Sequence, residues 1–430
     1  MPEKPEELQQ PTMEYAVSNH RWSLWLLGIW PNRDSYSNLR YFVTVGLITS
    51  AIIPQMTDLL QNNSLSMNVI ENLSSLIPCI LVTIKLFIIK VNMERLRVCL
   101  KAIEDDWLQV WQPEFEKENR QIMTRHAKIG RIFNVACTIL LYVTAAGYSM
   151  FRHTLKRLLN NIMVGIRLAG FLSLPYTVPD PPVQLYEEEN STGLNSTHRR
   201  LPLSAVYYFN PYRSPIYELT YLAQCLGIVC GATANFSIDS FLALLVLHFC
   251  GQLEILGRNL EHYRGVMKHT DSDQISTRSC SCMTCLVERH LEIVRLSQMM
   301  EDSFHAMLLF QLLLNSILFC FLGYQIIMNF EDSEAVGIAT FLIFMLTMML
   351  HLFLYSYVGE EITDKSEAIG NCAYKASWYD LQTAASKPLI MLMARSKSPL
   401  HITAGKFFVM SLENYTDVSM KYFLLHREYK

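Results

Sequence analysis

Seven apolar windows, each near the length of a membrane span, constrain this chain more than any other feature. Crossing about 30 Å of hydrocarbon takes about 20 consecutive, mostly apolar residues in a helix. The windows are Leu39–Leu60, Val69–Ile89, Gly130–Phe151, Tyr217–Leu247, Phe304–Met328, Ala335–Val358 and Gly405–Leu425. The fourth is long enough to continue beyond the membrane as one helix. The expected fold is an all-α polytopic membrane protein with seven transmembrane helices. Composition agrees, since 51% of the 430 residues are hydrophobic and 17% are charged. A net charge of -3 with no basic run between aromatics gives no reason to expect a nucleic-acid partner.

The loops set the direction. Basic residues gather in the second loop (Arg95, Arg97, Lys101, Lys117, Arg120, Arg125, Lys128). They gather again in the fourth (Arg258, Arg264, Lys268, Arg278, Arg289, Arg295) and the sixth (Lys365, Lys375, Lys387, Arg395, Lys397). The first loop has no Lys or Arg, and the fifth is acidic. The positive-inside rule then places the N-terminus in the cytosol and the C-terminus outside, the reverse of a G-protein-coupled receptor. The third loop, 152–215, breaks the pattern with Arg152, Lys156, Arg157, Arg167, Arg199, Arg200 and Arg213. Long loops weigh less in the rule. Two acceptor triplets at Asn190 and Asn195 favour glycosylation outside the cell. The first twenty residues are polar, so no cleavable signal peptide is read. None of the eleven cysteines falls in a segment placed outside, which excludes a disulfide-stapled ectodomain.

Five features invite a functional reading. The last window carries Glu413, Asp417 and Lys421 four residues apart, on one helical face. Charged side chains at membrane depth usually face a bundle interior or a water-filled path. This helix is therefore expected to line an aqueous pore. Asp239, mid-span in the fourth window, is read as a polar contact between helices, with His351 or a serine as partner. Tyr148, Tyr217, Tyr221 and Phe341 lie toward the outer ends of their spans, where an apolar cavity for a small ligand and an interfacial aromatic belt both fit. Pro54 and Pro78 fall inside the first two spans, as membrane helices tolerate. Cys280, Cys282 and Cys285, with His290 nearby, lack a second pair of ligands for a zinc knuckle. They are read as reduced thiols, so no metal and no cofactor is expected. No nucleophile–base constellation, phosphate loop or metal-helix motif occurs, and the chain is not expected to be an enzyme.

Several runs then carry a resemblance. Thr403-Ala404-Gly405-Lys406-Phe407-Phe408 through Met410-Ser411-Leu412-Glu413 resembles the C-terminal signature of insect odorant receptors. So does Gly359-Glu360-Glu361, followed by Ala373-Tyr374 and Trp378-Tyr379. Arg200-Leu201-Pro202-Leu203, Ser214-Pro215-Ile216-Tyr217 with Tyr221, and His248 with Gln252-Leu253-Glu254-Ile255-Leu256 support it. The opening Leu27-Gly28-Ile29-Trp30-Pro31 is similar in style to ant and bee receptors.

The resemblance implies one subunit of a heterotetramer formed with the odorant co-receptor, an odorant-gated cation channel of the plasma membrane of olfactory sensory neurons. The seventh helix of each subunit would line the pore, with Met410, Glu413, Asp417 and Lys421 on or near it. Tyr374, Trp378 and Tyr379 would be anchor contacts between subunits. A small volatile or hydrocarbon ligand would bind in the outer bundle, against Leu73, Ile77, Tyr148, Tyr217, Tyr221, Ile338 and Phe341. The moderate loop Gly257–Met300 suits a ligand-tuning subunit, the co-receptor having a longer one. The implied division is a cytosolic segment 1–38, a six-helix bundle 39–358, an anchor segment 359–404 and a pore helix with a short tail 405–430. Two stretches depart from the pattern. The last helix is about one turn short after Val418, and 152–176 is more basic and apolar than expected. The first leaves a non-conducting subunit as an alternative, and a seven-helix metabotropic chemoreceptor is another.

Overall fold

A computed structural model describes residues 13–31, 35–61, 67–108, 113–146, 201–203, 205–268, 280–331 and 335–428. Its helices are α1 (Met13–Leu26), α2 (Ser37–Gln61), α3 (Met67–Val91), α4 (Met93–Leu108), α5 (Pro113–Ala146), α6 (Ile216–Glu261), α7 (Met283–Glu331), α8 (Ala335–Lys375), α9 (Thr383–Ser396) and α10 (Leu412–Glu428). A two-stranded hairpin pairs β1 (Thr403–Ala404) with β2 (Phe408–Val409).

Among the described residues, five helices are long and apolar enough to cross a bilayer: Ser37–Gln61, Val69–Val91, Ile216–Glu261, Met283–Met328 and Phe341–Lys375. They correspond to the first, second, fourth, fifth and sixth expected spans. The apolar half of the third is described only as far as Ala146, where α5 ends. The last expected span differs. Its first residues, Gly405 to Val409, form the hairpin turn and β2, and the helix begins at Leu412.

α6 is the axis of the bundle. Every residue from Phe236 to Leu253 is buried, as befits a helix that is apolar all round. It packs most extensively on α8 and α5, and also against α2, α7 and α1. The peripheral helices keep apolar side chains outward. Phe42, Ile53 and Leu60 on α2, and Leu313 and Ile317 on α7, are exposed and suit a lipid-facing surface. α6, α7 and α8 have 46, 49 and 41 residues. At 1.5 Å per residue each rises about 60–75 Å, twice what hydrocarbon needs, so each extends well past the membrane at one end. Around those extensions stand α4, the first half of α5, α9 and the hairpin.

α1 falls within the segment 1–38 and is a helix that periodicity did not reveal. It docks on α5 and α6 through specific polar contacts. His20 Nδ1 lies 3.2 Å from the Ser240 hydroxyl and 3.1 Å from Asn134 Nδ2. Arg131 donates to the Tyr15 carbonyl and stacks on the Tyr15 ring.

Candidate functional site

The hairpin and α10 explain the strongest motif. Gly405 and Lys406 both have positive φ (64° and 70°), which turns the chain back on itself. The Gly405 N–H donates to the His305 carbonyl of α7 at 2.9 Å. Lys406, expected within the last helix, stands instead at the turn and pairs with Glu301 (2.7 Å) and Asp302 of α7. Met410 closes the hairpin through its N–H to the Ile402 carbonyl (2.9 Å), with its side chain buried.

Ser411 then caps α10 by accepting from the Asn414 N–H (3.2 Å). Glu360 of α8 accepts from the Leu412 N–H at 3.1 Å. A carboxylate at a helix N-terminus satisfies an orphan donor and complements the helix dipole. Gly359 lies so close to the Met410 carbonyl that a Cβ would overlap it. Gly359-Glu360 and the C-terminal signature are therefore two halves of one joint, which holds α10 against α8.

From there α10 presents two faces. Tyr415 meets the Phe353 ring edge-on at 5.7 Å, and Ser419 lies 3.9 Å from the Met349 sulfur. Glu413, Thr416, Asp417 and Met420 are exposed on the other side. The expected polar stripe thus points away from the chain's own bundle. Lys421 belongs to α10, but its side chain lies outside the described residues.

A second apolar cluster, separate from the main core, sits between α3, α7 and α8. It comprises Ile77, Leu318, Phe319, Leu322, Ile326, Phe341 and Met348, flanked by Phe344, Met345 and Met349. Two of the expected ligand residues, Ile77 and Phe341, are brought together here. Leu73 and Ile338 are half-buried one turn away on the same helices. Tyr217 and Tyr221 are half-buried on α6, their rings paired at 6.0 Å. Tyr148, Asn190 and Asn195 lie outside the described residues. Segment 205–210 spans the ends of α2 and α6. Val206 donates to the Pro54 carbonyl (3.2 Å), and Gln224 donates to the Tyr207 hydroxyl (2.9 Å).

Below this cluster lies a polar joint that hydropathy hid. Lys85 of α3 and Asp239 of α6 form a fully buried ion pair at 2.6 Å. Lys85 also donates to Asn235 (2.7 Å) and the Tyr355 hydroxyl (3.4 Å). His351, one of the partners expected for Asp239, comes only to 3.8 Å. The partner is Lys85, and the signal was available: a lone lysine in an apolar span needs a counter-charge.

The extended ends of the long helices hold a richer network. Arg289 of α7 donates to Asp106 (2.7 Å), Gln252 (2.9 Å) and Glu292 (2.6 Å). Asp106 is also 2.9 Å from His248 Nε2. Glu254 gathers Arg125, His126 (3.2 Å) and Lys365 (3.1 Å). His248, Gln252 and Glu254 thus tie the motif on α6 to α4, α5, α7 and α8. Beyond them the aromatic chain Tyr374–Trp378–Tyr379 stands exposed, with neighbouring rings 6.4 Å and 6.0 Å apart.

Long helices with a buried ion pair at membrane depth and an outward polar stripe define a multi-pass helical membrane protein. The family profile described as 7tm Odorant receptor matches residues 66–420, and the chain belongs to that family. Its relatives are receptors and not enzymes. Odorant receptor 13a of Drosophila melanogaster is 23% identical over 55% of this chain and 59% of its own length. Odorant receptor 67c of the same fly is 24% identical over 63% of this chain and 64% of its own. The matches therefore span about three fifths of these relatives. The solved insect olfactory receptor OR5 from Machilis hrabei, in complex with eugenol, has the same fold. Its TM-score is 0.72 at 13% identity, over 97% of this chain and 100% of the other.

Proposed function

We propose that this chain is the ligand-tuning subunit of an odorant-gated, non-selective cation channel, assembled with the odorant co-receptor as a heterotetramer in the plasma membrane of olfactory sensory neurons. The observation that carries the reading is the stripe Glu413–Thr416–Asp417 on α10, exposed on the side away from the bundle. Around a shared axis, such stripes from several subunits would meet as a cation-attracting wall. Loop charge supports a cytosolic N-terminus and an outer C-terminus, with α5 and α10 as the remaining two of seven spans. Exposed Tyr374, Trp378 and Tyr379 suit contacts between subunits.

A small, mostly apolar odorant or pheromone would bind among Ile77, Phe341, Leu73, Ile338, Tyr217 and Tyr221. α8 touches both ends of the pathway. It contributes Phe341, Phe344 and Met348 to the apolar cluster, and Met349 and Phe353 to the face that packs α10. A ligand that fits the cluster better in one arrangement of α8 biases α10 accordingly, by its differential affinity for the two states.

Co-expression with the co-receptor should give a fast odorant-evoked current, absent when either subunit is omitted. Glu413→Gln with Asp417→Asn should lower the preference for divalent over monovalent cations. An unchanged reversal potential in mixed salts would remove these residues from the pore. A surface-accessible tag at Met1, with current only through G-protein signalling, would favour the metabotropic reading. One observation favours a non-conducting subunit. After Tyr415-Thr416-Asp417-Val418 the chain reaches Tyr422-Phe423 about one turn sooner than the family pattern. On that reading, four residues inserted after Val418 would restore a current that the native chain lacks.

A further inference from the structure

Where the fourth connection enters α7, the chain carries Cys280, Cys282 and Cys285. Their sulfur atoms all lie within 4.8 Å of one another. All three are almost fully buried, at 9%, 2% and 2% exposure. They are not joined as disulfides. The turn that presents them is pinned to the end of the preceding strap. The Met283 N–H donates to the Val266 carbonyl at 2.9 Å, and Thr284 donates to the Met267 carbonyl through its N–H (3.2 Å) and its hydroxyl (2.9 Å). The Cys282 N–H already points at Cys280 Sγ, 3.4 Å away. The Cys282 carbonyl accepts from the Leu286 N–H at 3.0 Å and so opens the helix. The sulfurs therefore gather at the N-terminal end of α7, where burial and their own crowding push the Cys280 and Cys285 thiols upward.

We propose that Cys280, Cys282 and Cys285 form a three-thiolate site for a soft monovalent d10 cation of the Cu(I) class. Sulfur donors select soft ions. Metal–sulfur bonds of about 2.3 Å in a trigonal plane put the sulfurs about 4 Å apart, so the observed triangle closes by less than an ångström. Structural zinc is nearly always held by four ligands. The described cluster offers three, all of them sulfur. Binding displaces thiol protons to solvent and transfers no electrons. Its structural effect is to tie Cys280, ahead of α7, to Cys282 and Cys285 at the start of that helix. The proposal does not depend on channel activity.

The test uses the full chain, purified in detergent with its partner subunit, titrated with Cu(I) held by excess bathocuproine disulfonate. The native protein should take about one Cu(I) per chain, with thiolate-to-copper absorption in the ultraviolet. Cys280→Ser, the mildest change because this residue lies outside α7, should weaken retention by more than about tenfold, the loss that even an outer partner can cause. The triple serine variant should retain none at the site, and Cys320→Ser, at an exposed position on α7, should behave as native. Zn(II) added to the Cu(I)-loaded chain should not displace the bound Cu(I). Failure of the native chain to draw Cu(I) from the chelator overturns the proposal. So does uptake that is unchanged in Cys280→Ser, whether or not the triple variant folds.

Discussion

The two ends of this bundle are held together by different physics. At the extended end, Arg289, Asp106, Gln252, His248 and Glu292 form a joined set, and Glu254 collects Arg125, His126 and Lys365. Directional bonds of that kind specify one arrangement of helices. At the other end, Ile77, Leu322, Phe341 and Met348 meet by shape alone, with Met345 and Met349 filling the margins. Thioether side chains are flexible and repack around different shapes. One end is suited to hold a fixed frame, and the other to take up a guest and shift. Lys85 and Asp239 stand between the two.

The sharpest way to break that comparison is to unbalance the dividing pair. Lys85→Met leaves the Asp239 carboxylate buried without its counter-charge. Such a loss costs about 3–5 kcal/mol. Thermal challenge followed by size-exclusion chromatography should show little intact Lys85→Met receptor. The double variant Lys85→Met/Asp239→Leu removes the orphan charge and should recover most of the native yield. Equal losses in single and double variants would mean that the pair is not what joins α3 to α6.

The frame also depends on a polar dock at α1, and there pH is the lever. Burial, helped by the nearby Arg131 guanidinium, holds the His20 imidazole down to about 4. In the unfolded or undocked segment it would titrate near 6.5. Its docked form is therefore stable above that value and loses stability as pH falls from 6.5 toward 4. By linkage the loss at pH 5 is about 2 kcal/mol. Hydrogen exchange over 13–26 should accelerate between pH 7 and pH 5 while α6 stays protected. His20→Gln should flatten that dependence, and an equally steep profile in the variant would assign it elsewhere.

How much of this was legible depends on the period and on what lay beyond it. The spans of α2, α3, α6, α7 and α8 were readable because twenty apolar residues in a row have few other uses. The start of α10 was not. Gly405 to Val409 is apolar enough to continue a helix, and only the left-handed pair Gly405–Lys406 and the anchoring of Lys406 on Glu301 reveal a hairpin. α1 was missed because its 14 residues mix exposed tryptophans with a buried histidine and show no clear stripe. Ile77 and Phe341 were found as a type of residue at a depth in the membrane, but their meeting required the packing of α3 on α8 across α7. Asp239 was recognised as needing a partner. Its true partner was more than 150 positions away, and no local pattern links the two.

The weakest expected effect tests what counts as frame. Lys375 reaches Glu261 at 3.1 Å, yet its side chain is 67% exposed. An exposed pair gains little in water, because solvent screens it and two long side chains must be ordered to form it. Lys375→Met should leave the thermal midpoint of the isolated chain unmoved, and raising salt should not matter either. The same substitution in the co-assembled receptor separates two possibilities. Lys375 adjoins Tyr374 and lies close to Trp378, so an interface there would cover the pair and strengthen it by excluding water. A loss confined to the assembled receptor would put this corner at a subunit contact and extend the frame from one chain to several. No loss in either setting would leave the frame to Arg289 and Asp106, within each chain.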